Sequence, residues 1–405
     1  MSERVRHGMP IEFGGDATGP FEGIRVVDLS TIVSGPLCGQ ILGDLGADVI
    51  KIETPVGDSS RYMGGDRKGD FTGFFAQMNR NKRSVVLDLK TEAGVDAFKR
   101  IAKTADVVLE NFRPGVMDRL GIGYETLREE NPRLVYGAIS GFGDLGPYAA
   151  QPAYDMVIQA LSGIAELIGE PGAPKLVGNL LADKTAGLSA AYAIAAALFS
   201  RERTGQGQRV DLPMFDAFSA FLHLDRIGAD AFGAPASDMS SVADLLFRPW
   251  ETSDGKVVVL MIEDHQWQAV CRIIGHPEMG EDARFRTIVD RFVNAQDLIA
   301  FLSEEIGKRT TAEIVAGAHA EGTPLAPIHD QASFLADPQV EASGIVFPLE
   351  HEQVGPIPSL RQPARFSGTP ANVRRASPAL GQHTEEVLRE AGLADDEIAR
   401  IRGAG

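Results

Sequence analysis

Cysteine is nearly missing: 405 residues contain two, Cys38 and Cys271, far apart and with no CxxC or Cys/His spacing. That excludes a disulfide framework and a structural zinc site, and it points to a reduced, cytoplasmic setting. Cations are also scarce, with 39 Lys and Arg against 56 Asp and Glu, a net charge of -17. So acidic a chain repels polyphosphate, which argues against nucleic acid and anionic membranes as partners. An anionic small molecule stays admissible where cations gather locally. No apolar run is long enough to span a bilayer: Ala186 to Phe199 covers about 14 residues against the ~20 required, and reads as a buried helix. The first 20 residues hold no signal-peptide core.

What is present is an alternation of strand and helix. IRVVDL (24–29), ADVIKIE (47–53), SVVLDL (84–89), ADVVLEN (105–111) and RLVYGAISG (133–141) are short β-branched runs. Helical segments separate them, opened by Gly35 and Pro36 and again by Thr91. The pattern predicts βαβ units and a mostly parallel sheet, an α/β Rossmann-like large domain. Helices are expected over 155–168 and 183–203, the second ended by Gly205, followed by strand RVDL and a helix over 213–227. The small, polar stretch 228–244 reads as a linker. Beyond it KVVVLMI (256–262) is a lone strong strand followed by helices over 264–274, 293–306 and 310–321, a smaller α+β domain. Strands return at GIVFPLE and PARFS, before a late helix in 381–392. The domain reading is 20–227, 228–330, and a segment 331–405 that returns to the first domain.

Several segments can carry chemistry. The first βα turn lacks GxGxxG, so the dinucleotide fingerprint fails where it belongs. Ile32–Gly35 is either a ligand loop at the strand's carboxyl end or only a tight turn. Arg80, Lys82, Arg83 and Lys90 cluster in NRNKRSVVLDLKT, as a phosphate site or a solvated charge run. Asn111, Phe112 and Arg113 follow another strand, with Arg119 close behind, a set suited to a purine and its phosphates. Asp183 sits at a loop–helix junction, as an N-cap or as a nucleophilic carboxylate. Tyr154 and Asp155 start the preceding helix, by the bland account as packing and a second N-cap. His223, His265, His276 and His319 show no ligand spacing, and neither GxSxG nor HExxH occurs.

Taken in order, VVDLSTIVSGPLCGQILGDLGADVIKIE, NRNKRSVVLDLKT, ADVVLENFRPGVMDRLGIGYETLREENPRLVYGAISGFG, YDMVIQALSG, ADKTAGLSAAYAIAAALFSRERTGQGQRVDLPMFDA and LGQHTEEVLREAG resemble the class III CoA-transferase family. The resemblance implies a homodimer of two interlocked rings and acyl-CoA and carboxylic acid substrates. It implies no metal and no cofactor beyond coenzyme A as substrate. It puts the catalytic aspartate on Asp183, and the CoA contacts on Val33, Ser34, Leu87, Asp88, Leu89, Lys90, Asn111, Phe112, Arg113, Arg119 and Tyr154. Thr54 replaces the family's phosphate-binding arginine, leaving that contact to a group such as Arg80 or Arg83. The family's racemase branch carries a histidine where Tyr154 stands. A tyrosine hydroxyl holds its proton too firmly at neutral pH to be the second base of a racemase. The expected reaction is therefore CoA transfer through an aspartyl-CoA thioester; the alternatives are an α-methylacyl-CoA racemase, a non-catalytic CoA-binding protein and, disfavoured, a nicotinamide dehydrogenase. The glycine-rich loop of formyl-CoA transferases is missing, so formyl-CoA or oxalate specificity is not expected. Phe247, Arg248 and Trp250 are candidates for the acyl pocket.

Overall fold

The computed structural model describes residues 14–65, 67–170, 172–225, 227 and 248–403. Six strands form a parallel sheet: β1 (Arg25–Asp28), β2 (Asp48–Glu53), β3 (Lys82–Val86), β4 (Val107–Glu110), β5 (Val135–Ser140) and β6 (Arg209–Pro213). Their spatial order is β3-β2-β1-β4-β5-β6, so the chain reverses direction across the sheet between β1 and β4. Alternate residues along each strand point to opposite faces. Val26, Val49, Val107 and Val135 enter one core with α1 (Ser34–Asp44) and the later helices. Val27, Ile50, Val108 and Tyr136 enter the other, with Phe98 and Ile101 of α2 (Glu92–Ala102). A sheet buried on both faces explains why its strands are nearly continuous apolar runs.

The fifth-to-sixth strand crossover contains α3 (Asp155–Ser162) and α4 (Leu181–Thr204) and leads to α5 (Met214–His223). The helix expected over 155–168 breaks at Gly163, whose φ of 85° lies in the left-handed region. Gly205 ends α4 as expected, at φ 74°. The α4 helix is only half buried. Ala186, Gly187, Ala190 and Ile194 face the core, while Leu188, Tyr192 and Phe199 are exposed.

The chain divides into two compact units, one comprising the residues up to Leu224 and from Ala342 onward, the other Asp225–Glu341. In the second, KVVVLMI is not a lone strand. Its first four residues form β8 (Lys256–Val259), central in an antiparallel sheet between β7 (Pro249–Glu251) and β9 (Leu325–Pro327). These flanking strands are three residues long and contain proline, so they leave little periodic signal. Helices α6 (Asp264–Ile273), α7 (Ala295–Gly307) and α8 (Thr311–Glu321) complete this unit. The linker reading of 228–244 lies outside the described residues. In the first unit the strand expected at PARFS is irregular. The partner of β10 (Val346–His351) is β11 (Gly355–Leu360), two prolines notwithstanding. A late helix, α9 (Thr384–Glu390), closes the outer edge of β3: Ser84 donates its N–H to His383 Nδ1 and Val86 to Thr384 Oγ1.

At the carboxyl ends of β1 and β2, and reached by the first residue of β3, lies a set of buried ions. Lys82, fully buried, pairs with Asp28 at 2.9 Å and donates to the Pro36 carbonyl and Asn79. Lys51, equally buried, pairs with Asp58 at 2.9 Å and donates to the Ser30 carbonyl at 2.8 Å. Arg61 meets Glu53, which also accepts from Ser84 Oγ. Burial alone would push the Asp58 carboxyl up, but the Lys51 ammonium overrides it and pulls it down to about 2. Asp58 therefore contributes stability above the ordinary carboxylate range, and that contribution is lost as pH falls through about 2. Asp58→Asn leaves Lys51 buried without its counter-ion. Urea unfolding at pH 7 is expected to show a loss of about 3–5 kcal/mol, shrinking as the pH is lowered.

Candidate active site

Chain reversal between β1 and β4 opens a crevice at the strands' carboxyl ends, and the loops that follow these strands meet there. Asn111, just after β4, clasps the loop after β1: it accepts from the Thr31 N–H and donates to the Thr31 carbonyl, both at 2.8 Å. Its amide also reaches Ser34 Oγ at 3.3 Å. Ile32 adopts φ 71°, a left-handed conformation unusual for a β-branched residue, and its N–H is held by Asp58 at 3.2 Å. The ion network thus reaches the loop from below, while Asn111 holds it from the side. Strain of this kind persists only where the surroundings over-determine it.

Small residues bring α4 against this loop. A Cβ on Gly187 would stand 2.6 Å from the Ser34 carbonyl oxygen, and a Cβ on Gly35 would collide with Ser30. The first turn of α4 thereby meets the start of α1, and Asp183 comes to face Ser34. A cavity of about 240 Å³ opens here, lined among others by Thr31, Ser34, Asn111, Phe112, Arg113, Ser140, Tyr154 and Asp183.

Asp183 is not the N-cap of its helix. The helix begins at Leu181, and Leu180 at the cap position supplies no side-chain bond. The N–H of Asp183 is instead satisfied from the neighbouring helix, where Asp155 Oδ2 accepts it at 3.0 Å. Asp155 is therefore a cap for a helix other than its own. Burial, followed by the charge of Asp155, pushes the Asp183 carboxyl up to about 6, although the polar hydroxyl and backbone N–H of nearby Ser34 pull it the other way. At neutral pH such a group is mostly ionised yet poorly solvated, the condition of a reactive carboxylate.

Of the residues singled out from sequence, Ser34, Asn111, Phe112, Arg113, Tyr154 and Asp183 share this cavity. Val33 is fully buried behind it. Leu87, Asp88, Leu89 and Lys90 follow β3, two strands from β1, and Arg119 ends a short helix beyond Arg113; none of them lines the cavity. Arg113, Arg119 and Lys90 have no ion-pair partner among the described residues.

Other expectations are corrected. The cluster Arg80, Lys82, Arg83 is neither solvated nor a phosphate site. Arg80 is buried against Asp44 at 2.5 Å, and Arg83 is held by Asp48, Glu386 and Glu390. Neither is free to replace the arginine missing at Thr54. Trp250 is packed in the second unit's core, with Arg248 over its ring, and Phe247 lies outside the described residues. Sequence reasoning missed Ser140, Gly141 and Met214 as cavity residues; the rule that ligands gather past strand ends already pointed to Ser140 and Gly141.

The raised Asp183 carboxyl has a stability consequence. A carboxyl whose folded-state value lies above its unfolded one destabilises the fold as pH rises from about 4 through about 6. Asp183→Asn removes that penalty. Thermal or urea unfolding is expected to show a gain of about 1–2 kcal/mol at pH 7.5, after allowance for partial exposure, and none at pH 4.

Comparison with known proteins agrees with this geometry. The CoA-transferase family III profile matches residues 21–384. A succinate–glutarate CoA-transferase of Agrobacterium fabrum is 36% identical over 92% of this chain and 95% of its own length. An acetyl-CoA:oxalate CoA-transferase of Acetobacter aceti is 37% identical over 92% and 96%. The crystal structure of a CAIB/BAIF family protein from Brucella suis superimposes with a TM-score of 0.81 at 36% identity, covering 92% of this chain and all of that one. With the family profile matched over residues 21–384 and the fold shared with a solved relative at 36% identity, the chain belongs to CoA-transferase family III.

Proposed function

We propose that this protein transfers coenzyme A from an acyl-CoA to a carboxylic acid through a thioester on Asp183. The observation that carries the reading is the Asp183 carboxylate itself, mostly charged at neutral pH, half-buried at the mouth of the cavity and backed by Asp155. Asp183 attacks the thioester carbonyl, giving a mixed anhydride and CoA thiolate. The thiolate attacks the aspartyl carbonyl, releasing the donor acid and leaving aspartyl-CoA. An incoming acid reverses both steps. Each step exchanges one activated acyl group for another, so no single barrier carries the whole transfer. Ser34, with a hydroxyl and an N–H directed at Asp183, is placed to steady the oxyanion that forms as that carbonyl is attacked.

Coenzyme A carries its phosphates at one end and its thiol at the other. Arg113, Arg119 and Lys90, without ion-pair partners among the described residues, stand past the carboxyl ends of β4 and β3, where a polyanion finds cations in an otherwise acidic chain. Phe112 offers a face for the adenine. The relative named for succinate and glutarate makes short dicarboxylic acids the first acids to try; oxalate, which the missing glycine-rich loop argued against, is added because another relative is named for it.

The interlocked homodimer belongs to the same proposal. Its support is the apolar surface left uncovered on three neighbouring helices: Leu161 on α3, Leu188, Tyr192 and Phe199 on α4, and Phe221 on α5. Large apolar side chains left exposed on packed neighbouring helices are what an interface would cover.

Intact-mass spectrometry after mixing with succinyl-CoA, acetyl-CoA and other acyl-CoAs tests the reading. A covalent CoA adduct is expected on the native chain and none on Asp183→Ala. Deuterium entering the α-carbon of an acyl-CoA without any adduct would instead favour a racemase.

A further inference from the structure

Two carboxylates share the start of α4, and only one of them lines the cavity. Asp155 is 2% exposed and lies behind Asp183. Its Oδ2 accepts the Asp183 N–H at 3.0 Å, and its Oδ1 accepts Gln159 Nε2 at 2.5 Å. Gln159 is fully buried and fixed in turn. It donates to the Asn179 carbonyl at 2.9 Å and accepts the Val177 N–H at 3.0 Å, both on the loop that leads into α4. Asp155 cannot swing away without breaking a bond to the first turn of that helix.

Capping alone does not require a charge. A buried asparagine or serine would satisfy one N–H equally well. A second anion beside Asp183 is costly while both are ionised, since like charges at close range in a poorly solvated site repel strongly. The other polar groups around Asp183 are the Ser34 hydroxyl and N–H, Tyr154 and Arg113 on the cavity wall, and Lys184, whose ammonium is turned to Asn179 at 2.6 Å.

We propose that Asp155 is a positioning residue whose fixed negative charge drives the acylation of Asp183. This rests on the transfer reading above. The balance is simple: Asp183 carboxylate plus acyl-CoA gives aspartyl-CoA plus the free carboxylate of the donor. The C–S bond to the donor acyl group breaks and a C–S bond to the aspartyl carbon forms. One oxygen of Asp183 leaves with the donor acid, carrying the negative charge out of the site. Beside Asp155 a charged group is thus replaced by a neutral thioester, and the repulsion is relieved in the covalent intermediate. Asp155 need not touch the substrate to act in this way.

The test uses the full chain with succinyl-CoA as probe, scoring the covalent adduct by intact mass across pH 4.5–8 and at a fixed ratio of succinyl-CoA to succinate. Asp155→Asn is expected to lower the pH midpoint of loading by about one unit and the equilibrium adduct roughly tenfold. Asp155→Ser, neutral and still an acceptor, behaves in the same way, and Asp155→Glu stays near the native midpoint. Gln159→Ala loosens the same corner while leaving the charge, so loading slows and the midpoint stays. The inference is overturned if the neutral variants keep the native midpoint and extent, or if Gln159→Ala shifts both as they do. A native chain that never forms an adduct with any acyl-CoA overturns the transfer reading itself, and this inference with it.

Discussion

A buried ammonium group must be surrounded by an anion and by carbonyl acceptors, and the two such groups in this sheet find theirs where the loop after β1 begins. Lys82 reaches from β3 to Asp28 at the end of β1, and Lys51 reaches from β2 to Asp58 and the Ser30 carbonyl. Removing either charge would leave its partner stranded in the core, which is far more costly than the pair itself is stabilising. The ions therefore act as a constraint. They fix where β1 ends, which way the chain turns at Ser30, and where the N–H of Ile32 points. The strained Ile32, the clasp of Asn111 and the close approach of α4 through Gly187 all build on that fixed loop.

The same constraint explains how a carboxylate comes to be held in an unfavourable state. Asp183 opens a 24-residue helix, where the helix dipole favours negative charge. Burial and Asp155 nevertheless push its carboxyl up to about 6. A site built for stability alone would avoid two neighbouring carboxylates. On the proposed chemistry the arrangement is useful, because acylation neutralises one of them. The fold gives up some stability at this corner, and the ion network and the two apolar cores supply the rigidity that lets it do so.

Much of the fold was legible in the sequence because the parallel sheet is buried on both faces and its strands are uninterrupted β-branched runs. Strand order was not legible, since it depends on crossovers rather than on local pattern. The short strands Pro249–Glu251 and Gly355–Leu360 were lost because proline and brevity erase periodicity. The cation cluster around Arg80 read as a surface feature, since nothing local reveals that Asp44, Asp28 and Asp48 fold back on it. At the site, Asp183 and its cavity neighbours were legible through resemblance. The part played by Asp155 was not, because a capping bond between two helices leaves no trace in the spacing of residues 28 apart.

The most direct test of Asp183 as the group that carries coenzyme A follows its oxygen atoms. Turnover with an acyl-CoA and an acceptor acid labelled with heavy oxygen in its carboxylate should leave one labelled oxygen on Asp183 when the anhydride is resolved. Peptide mass spectrometry after turnover is expected to find that label in the peptide containing Asp183 and in no other. Steady transfer of CoA to the labelled acid with no heavy oxygen on Asp183 would contradict the account, since the acyl group would then have passed between substrates without bonding to the protein there.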